Sequence, residues 1–212
     1  LKRKAACATW DMSRRVLRVL DAPGYVLHTT AWRETSLIVQ VFSRDHGWIS
    51  MVAKGAKRPH SVLRPALSVF QPLLLSWTGS GEIKTLTRAE CAGVHVLPGP
   101  ALMSCWYMNE LLFRLLPHED AHPGLFDAYV IALQRLAAGQ TAAGSLRRFE
   151  WMLLQETGYG LDEQEPDFND PSIEPELRAS LRERLSEHLA GKPLATRQVL
   201  MSLQRYQTKA PG

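Results

Sequence analysis

The hydrophobic period of the chain changes at Pro98, and that change limits what it can fold into. Over residues 24 to about 95 the apolar side chains fall in five short segments, YVLHTTAW, TSLIVQVFS, GWISMVAKG, LSVFQPLLLSW and EIKTLTRAECAGV. Each is rich in β-branched and aromatic residues and bounded by Gly, Pro, Ser or Asp, the composition of strands. Five strands in so short a stretch predict a small barrel or sandwich. RDHG at 44–47 and TGSG at 78–81 supply the Gly that hairpin reversals need. GSGEIKT lacks the GxxxxGK[ST] spacing of a phosphate loop and precedes a strand instead of a helix, so it reads as a turn.

After LPGPA the period becomes helical. Leu102, Cys105, Trp106, Asn109, Leu112, Phe113 and Leu116 recur at spacings of three and four, and Met108, Leu111 and Leu115 widen the stripe. They predict a helix buried on most sides. A second helix is expected over 123–138 with Phe126, Tyr129, Val130, Leu133 and Leu136 inward, and a third over 143–157 with Leu146, Phe149, Met152 and Leu153 inward. Gly158 of GYG suits the left-handed closing turn, with Tyr159 folding back on the last turn. Residues 162–175, acidic and proline-bearing, read as a linker. A fourth helix carries Leu177, Leu181, Leu185 and Leu189, and Thr196 is a candidate N-cap for a last one with Val199, Leu200 and Leu203. The expected division is a basic extension at 1–23, a barrel domain at 24–97 and a helical domain at 98–212.

Charge separates the same two halves. Residues 1–95 hold 14 Lys and Arg against 6 Asp and Glu, and residues 96–212 hold 11 against 15. From His46 to Gly81 there is no acid at all, while Lys54, Lys57, Arg58 and Arg64 are concentrated there. Such a field speaks to a polyanionic partner. A five-stranded, partly open barrel with a basic face matches the OB-fold, whose strands and loops hold single-stranded nucleic acid between cations and stacking aromatics. Of Trp32, Phe42, Trp48, Phe70 and Trp77, two or three are expected inside the barrel, and Trp32 beside Arg33 is the expected exposed ring.

Other chemistries find little support. No apolar run is long enough to span a bilayer, and cytoplasm is the expected location. Cys7, Cys91 and Cys105 form no CxxC pair, so neither a disulfide framework nor a four-ligand zinc site is encoded. HEDAH at 118–122 gathers two His and two carboxylates, but it sits at a helix-to-helix junction after Pro117, so no metal site is expected there. No GxSxG, HExxH or dinucleotide glycine pattern occurs, so no cofactor or catalytic residue is expected. An RNA-binding OB protein such as a translation factor remains the alternative, because charge and stacking do not distinguish RNA from DNA.

Longer motifs are more specific. YVLHTTAWRETSLIVQVFSRDHGWISMVAKGAK, LSVFQPLLLSWTGSGEIKTLTRAE, YMNELLFRLLP, LRRFEWMLLQETGYGLD and GKPLATRQVL, in this order, resemble the RecO family of bacterial recombination mediator proteins. The resemblance covers about residues 24–162 and 185–203. It implies an α+β chain: an N-terminal five-stranded OB-fold barrel followed by a C-terminal α-helical domain. It implies binding of single- and double-stranded DNA, annealing of complementary strands, and work with RecR to help RecA replace single-stranded DNA-binding protein (SSB), without enzymatic chemistry, in the bacterial cytoplasm at the nucleoid. In the family the acidic, Phe-terminated SSB tail docks on the helical domain.

Carried onto this chain, the resemblance places Lys54, Lys57, Arg58 and Arg64 in the DNA-binding barrel, with Arg33, Arg44, Lys84, Arg88 and Trp32 as further candidates. Arg147 is the candidate contact for the SSB-tail carboxylate, Arg148 its neighbour, and Tyr107, Leu111 and Trp151 the candidate ring pocket. Some members carry a four-cysteine zinc site after GYG; no Cys follows Cys105 here, so no metal is expected. The stretch after Leu161 is shorter than is usual for the family. Met12 could be the start, with LKRKAACATWD upstream; alternatively Lys2, Arg3, Lys4, Arg14, Arg15 and Arg18 form a basic arm.

Overall fold

The structure, a computed structural model, describes residues 17–140, 142–160 and 164–199. Most of the expected basic arm, residues 1–16, and Leu200 and Leu203 of the last expected helix lie outside them. Five strands, β1 (Arg18–Trp32), β2 (Ser36–Ser43), β3 (Gly47–Ala53), β4 (Leu73–Thr78) and β5 (Ile83–Cys91), close a barrel in the order β1-β2-β3-β5-β4. All pairings are antiparallel except β3 with β5. That parallel pair needs a crossover, supplied by residues 54–72 with the short helix α1 (Leu63–Ala66) and the returning strand β4. The first strand starts at Arg18, ahead of Tyr25 where the sequence pattern begins. Residues 18–24 pair with β4 and are needed to close the barrel.

The period-2 alternation sorts side chains between two cores. Val26, Val39, Val41, Ile49, Met51, Leu73, Leu75 and Trp77 fill the barrel. Their neighbours Tyr25, Leu27 and Phe42 point outward, yet they too are buried, because helices cover that side of the barrel. Strands buried on both faces read as continuous apolar runs, which is why β2 is SLIVQVFS.

The covering layer is α2 (Gly99–Leu115), α3 (Pro123–Ala137), α4 (Ala142–Glu156) and α5 (Glu174–His188). Tyr25 and Phe42 meet Phe126 and Tyr129 in tilted or edge-on ring contacts. At a bulge between Val26 and His28, Leu27 drops out of the β1–β2 ladder. Its carbonyl accepts a hydrogen bond from Asn109 Nδ2 at 3.0 Å, and Asn109 Oδ1 accepts one from Tyr129 Oη at 2.7 Å. A buried amide in an otherwise apolar stripe thus satisfies the carbonyl that the bulge frees. The helix α2 is less enclosed than its stripe predicts: Leu102, Trp106 and Phe113 are exposed over a third or more of their surface.

The junction after α2 ties the layers together, and it uses HEDAH for this. His118 packs against Trp48 at a tilt of 42°, with ring centroids 3.8 Å apart, and the Glu119 amide donates to Trp48 O. The Asp120 backbone lies so close to Gly47 (φ +67°) that a Cβ there would collide with it. His122, at the start of α3, reaches Glu156 Oε2 at 3.1 Å. His122 Nε2 also lies 3.6 Å from Asp120 Oδ2, but among the described residues no His, Cys, Asp and Glu cluster could hold a metal ion. At the end of α4, Tyr159 N–H bonds to Leu154 O and Gly158 N–H to Gln155 O around a positive φ at Gly158, the paired bonds of a Schellman closure. Tyr159 then lies on His188 of α5, not on its own last turn. No described helix is long and apolar enough to cross a membrane.

Candidate nucleic-acid interface and a cationic pocket

One end of the barrel collects the unpaired cations. The turn after β3 is stitched to the β1–β2 turn: Lys57 N–H donates to Thr35 O at 2.9 Å and Lys57 Nζ to Arg33 O at 3.2 Å. This brings Lys54, Lys57 and Arg58 beside Arg33 and Trp32, all exposed. Trp32 is 46% exposed, and the Arg33 guanidinium sits 5.9 Å from its ring centroid. Arg64 is exposed on α1. Among the described residues none of these five cations is in an ion pair, so their charge is available to phosphates. Of the five candidate stacking rings, Trp77 lies inside the barrel, Phe42 and Phe70 are buried in the core beneath the helices, and Trp48 is partly covered by Phe113 and His118.

Three candidates turn out to be engaged elsewhere. Lys84 is only 4% exposed; its Nζ donates to Gly81 O and to Glu119 Oε1 at 2.8 Å, so it joins β5 to the α2–α3 junction. Arg44 grips Asp127 of α3 through two hydrogen bonds of 3.0 and 2.9 Å. Those bonds pull the Asp127 carboxyl below its usual range. Arg88 lies between Asp21 and Glu90, which outweigh its charge. All three brace the fold, and a phosphate would have to displace a carboxylate to reach them.

A second cationic site lies in the helical layer. Between α2, α4, α5 and the turn of helix at 195–199 is a cavity of about 490 Å3. Met103, Tyr107, Leu146, Leu185, Leu189 and Leu194 give it apolar walls; Arg147, Arg178, Arg182, Lys192 and Arg197 line it with positive charge. Glu150 is its one lining carboxylate. Of the tail-pocket candidates, Arg147 and Tyr107 line this cavity, and Leu111, Arg148 and Trp151 do not. Leu111 is fully buried in the core. Arg148 pairs with Glu165 at 3.8 Å, and Trp151 packs on Phe168. On α4 the residues 147 and 150 share one face and 148 and 151 the next, about 100° round the helix, so the two pairs look at different neighbours. Arg178, Arg182, Lys192 and Arg197 were missed because alternating Arg and Glu reads as a solvated surface; the only signal was Lys192 in the GKPL motif.

The far wall hangs on α2. Glu110 Oε1 accepts the Ala195 amide at 2.8 Å, and Oε2 accepts the Thr196 amide at 2.9 Å and its hydroxyl at 2.7 Å. Arg114 pairs with the same carboxylate and donates to Pro193 O. Thr196 is thus not the N-cap; Glu110 supplies the acceptor from another helix. Burial alone would raise the Glu110 carboxyl, but these bonds and Arg114 outweigh it and leave it below its usual range. Its stabilising contribution is present above the ordinary carboxylate pKa and is lost as pH falls through the lowered value. Glu110→Ala should cost about 1–2 kcal/mol, as loss of a helix cap does. Hydrogen exchange should quicken at the Ala195 and Thr196 amides; unchanged protection there would refute the tether.

The sequence matches the family described as Recombination protein O N terminal over residues 17–95, and Recombination protein O C terminal over 99–166. It is 43% identical to the DNA repair protein RecO of Cupriavidus pinatubonensis, across 90% of this chain and 82% of that one. The DNA repair protein RecO of Ralstonia nicotianae is 42% identical across 89% of this chain and 86% of its own. That of Aromatoleum aromaticum is 55% identical over 156 residues, 73% of this chain and 65% of the relative. The first alignment runs to 238 positions, more than the 212 residues of this chain, so that relative carries residues this chain lacks. These matches favour DNA repair over the translation-factor alternative.

Proposed function

The chain belongs to the RecO family of DNA repair proteins, and from that premise we propose that it is a recombination mediator working on two separate anionic partners. Single- and double-stranded DNA binds the barrel rim, where Arg33, Lys54, Lys57, Arg58 and Arg64 meet phosphates. Trp32 offers a stacking face worth about 1–3 kcal/mol per base. The acidic, Phe-terminated tail of SSB docks in the helical-layer cavity: the ring enters between Tyr107 and the leucines, and cations take the carboxylates. Held this way, an SSB-coated strand is delivered to a surface that anneals it to its complement, and with RecR the protein helps RecA replace SSB. No covalent step is needed.

The observation that carries this reading is the separation of positive charge into an open rim on the barrel and a walled, apolar-lined pocket on the helices. An extended phosphodiester suits the first, and a short peptide with a ring and carboxylates suits the second. The test is annealing of complementary strands, naked or coated with SSB that has or lacks its tail. Annealing of coated strands should need the tail, and annealing of naked strands should not. Equal annealing with tail-less SSB would remove the pocket from the mechanism.

A further inference from the structure

Glu150 is out of place in a pocket that attracts anions. Only 2% exposed, it accepts a hydrogen bond from Tyr107 Oη at 2.6 Å and one from Arg147 Nη2 at 3.1 Å, both on Oε1. Oε2 lies 3.0 Å from Arg147 Nη1 but makes no hydrogen bond, and Arg147 Nε makes none either. The two side chains form a buried pair of zero net charge whose remaining polar atoms are unsatisfied. Every other cation lining the cavity is exposed.

A peptide carboxylate that takes Arg147 would place two anions on one guanidinium in a site with little water. Two carboxylates so placed do not both stay ionised. Building on the pocket assignment above, we propose that Glu150 is the pocket's proton-coupled specificity residue: it holds Arg147 poised when the pocket is empty and takes up one proton when a peptide carboxylate replaces it. The proton comes from solvent and goes to Oε2, the oxygen that no donor occupies. The incoming carboxylate stays ionised and accepts from Arg147. The buried set keeps zero net charge, with one anion exchanged for another.

The surroundings of Glu150 agree. Burial raises its proton affinity; Arg147 on its own helix, Tyr107 from α2 and Arg178 from α5 lower it, and Glu174 from α5 raises it, leaving the carboxyl above its usual range.

The experiment is calorimetric titration of a short acidic peptide ending in Phe with a free carboxylate, from pH 6 to 8, in buffers of different ionisation enthalpy. Uptake should approach one proton per peptide, with affinity falling by up to about tenfold per pH unit through the titration of Glu150. Glu150→Gln, which keeps the shape and a neutral side chain, should abolish the uptake and flatten the pH dependence. At pH 8 it should bind more tightly than the wild type, because no proton has to be taken up. Tyr107→Phe removes a donor to the ionised form and should move the profile to higher pH, and it carries the test if the Gln variant does not fold. Binding with no proton uptake, or the same uptake in Glu150→Gln, overturns the role of Glu150. Failure of the wild type to bind the peptide at any pH overturns the pocket assignment beneath it, a distinct outcome.

Discussion

Replacing Arg33, Lys54, Lys57 and Arg58 together by Gln should cut affinity for single-stranded DNA about 600-fold at 0.1 M salt, reckoned as about 0.7 counterion per phosphate contact, four contacts, and a tenfold dilution from 1 M. The same variant should reduce the slope of log affinity against log salt by about 3. Both follow from the exposure of these cations and their freedom from carboxylates among the described residues. Arg88→Gln provides the contrast. It also removes one exposed positive charge, but from between Asp21 and Glu90, where no phosphate contact is expected. Its salt slope should match the wild type. A fall in affinity with an unchanged slope in the quadruple variant would mean that the rim contributes through non-ionic contacts instead of phosphate neutralisation. An unchanged affinity would remove the DNA face from this end of the barrel.

The difference between Arg58 and Arg88 also marks what the sequence can reveal. Barrel and helices were legible because period 2 and period 3.6 are local properties, each written within a dozen residues. The acid-free stretch was legible for the same reason: no carboxylate is near enough in sequence to neutralise Lys54 or Arg58. Arg44 and Lys84 looked equally available, but their partners Asp127 and Glu119 are 83 and 35 residues away, and Arg88, beside Glu90 in sequence, meets its second carboxylate, Asp21, from 67 residues away. Only the closed barrel and the layer on top of it create those pairs. The pocket shows the converse. Arg178 and Arg182 seemed to belong to a solvated face, and they border a cavity only because Glu110 draws the 195–199 turn against α2 and α5. The motif located Arg147 on α4, but its spacing could not tell which flank of the helix faces the cavity; Trp151 packs on Phe168 on the neighbouring flank.

Arg147→Ala should destabilise the fold by about 3–5 kcal/mol at pH 8, the cost of leaving one member of a buried ion pair without its partner. Glu150 would then keep the Tyr107 hydrogen bond alone, at 2% exposure. Its escape is to bind a proton. Because the folded state would then hold a proton that the unfolded state releases, stability must fall as pH rises above the ordinary carboxylate range, by about 1.4 kcal/mol per unit until the raised pKa is passed. The loss should therefore be smaller at pH 6 than at pH 8. Adding Glu150→Gln removes the stranded charge and should recover most of the stability at both values. Urea unfolding of the two single variants and the double variant at each pH measures this coupling directly. A neutral effect of Arg147→Ala at pH 8 would mean that the pair does not hold a charge. The same reasoning decides how the pocket should be probed. Loss of peptide binding in Arg147→Ala mixes a missing ligand contact with a disturbed α4, whereas Lys192→Gln and Arg182→Gln remove exposed charges from the rim of the same cavity and leave the buried pair whole.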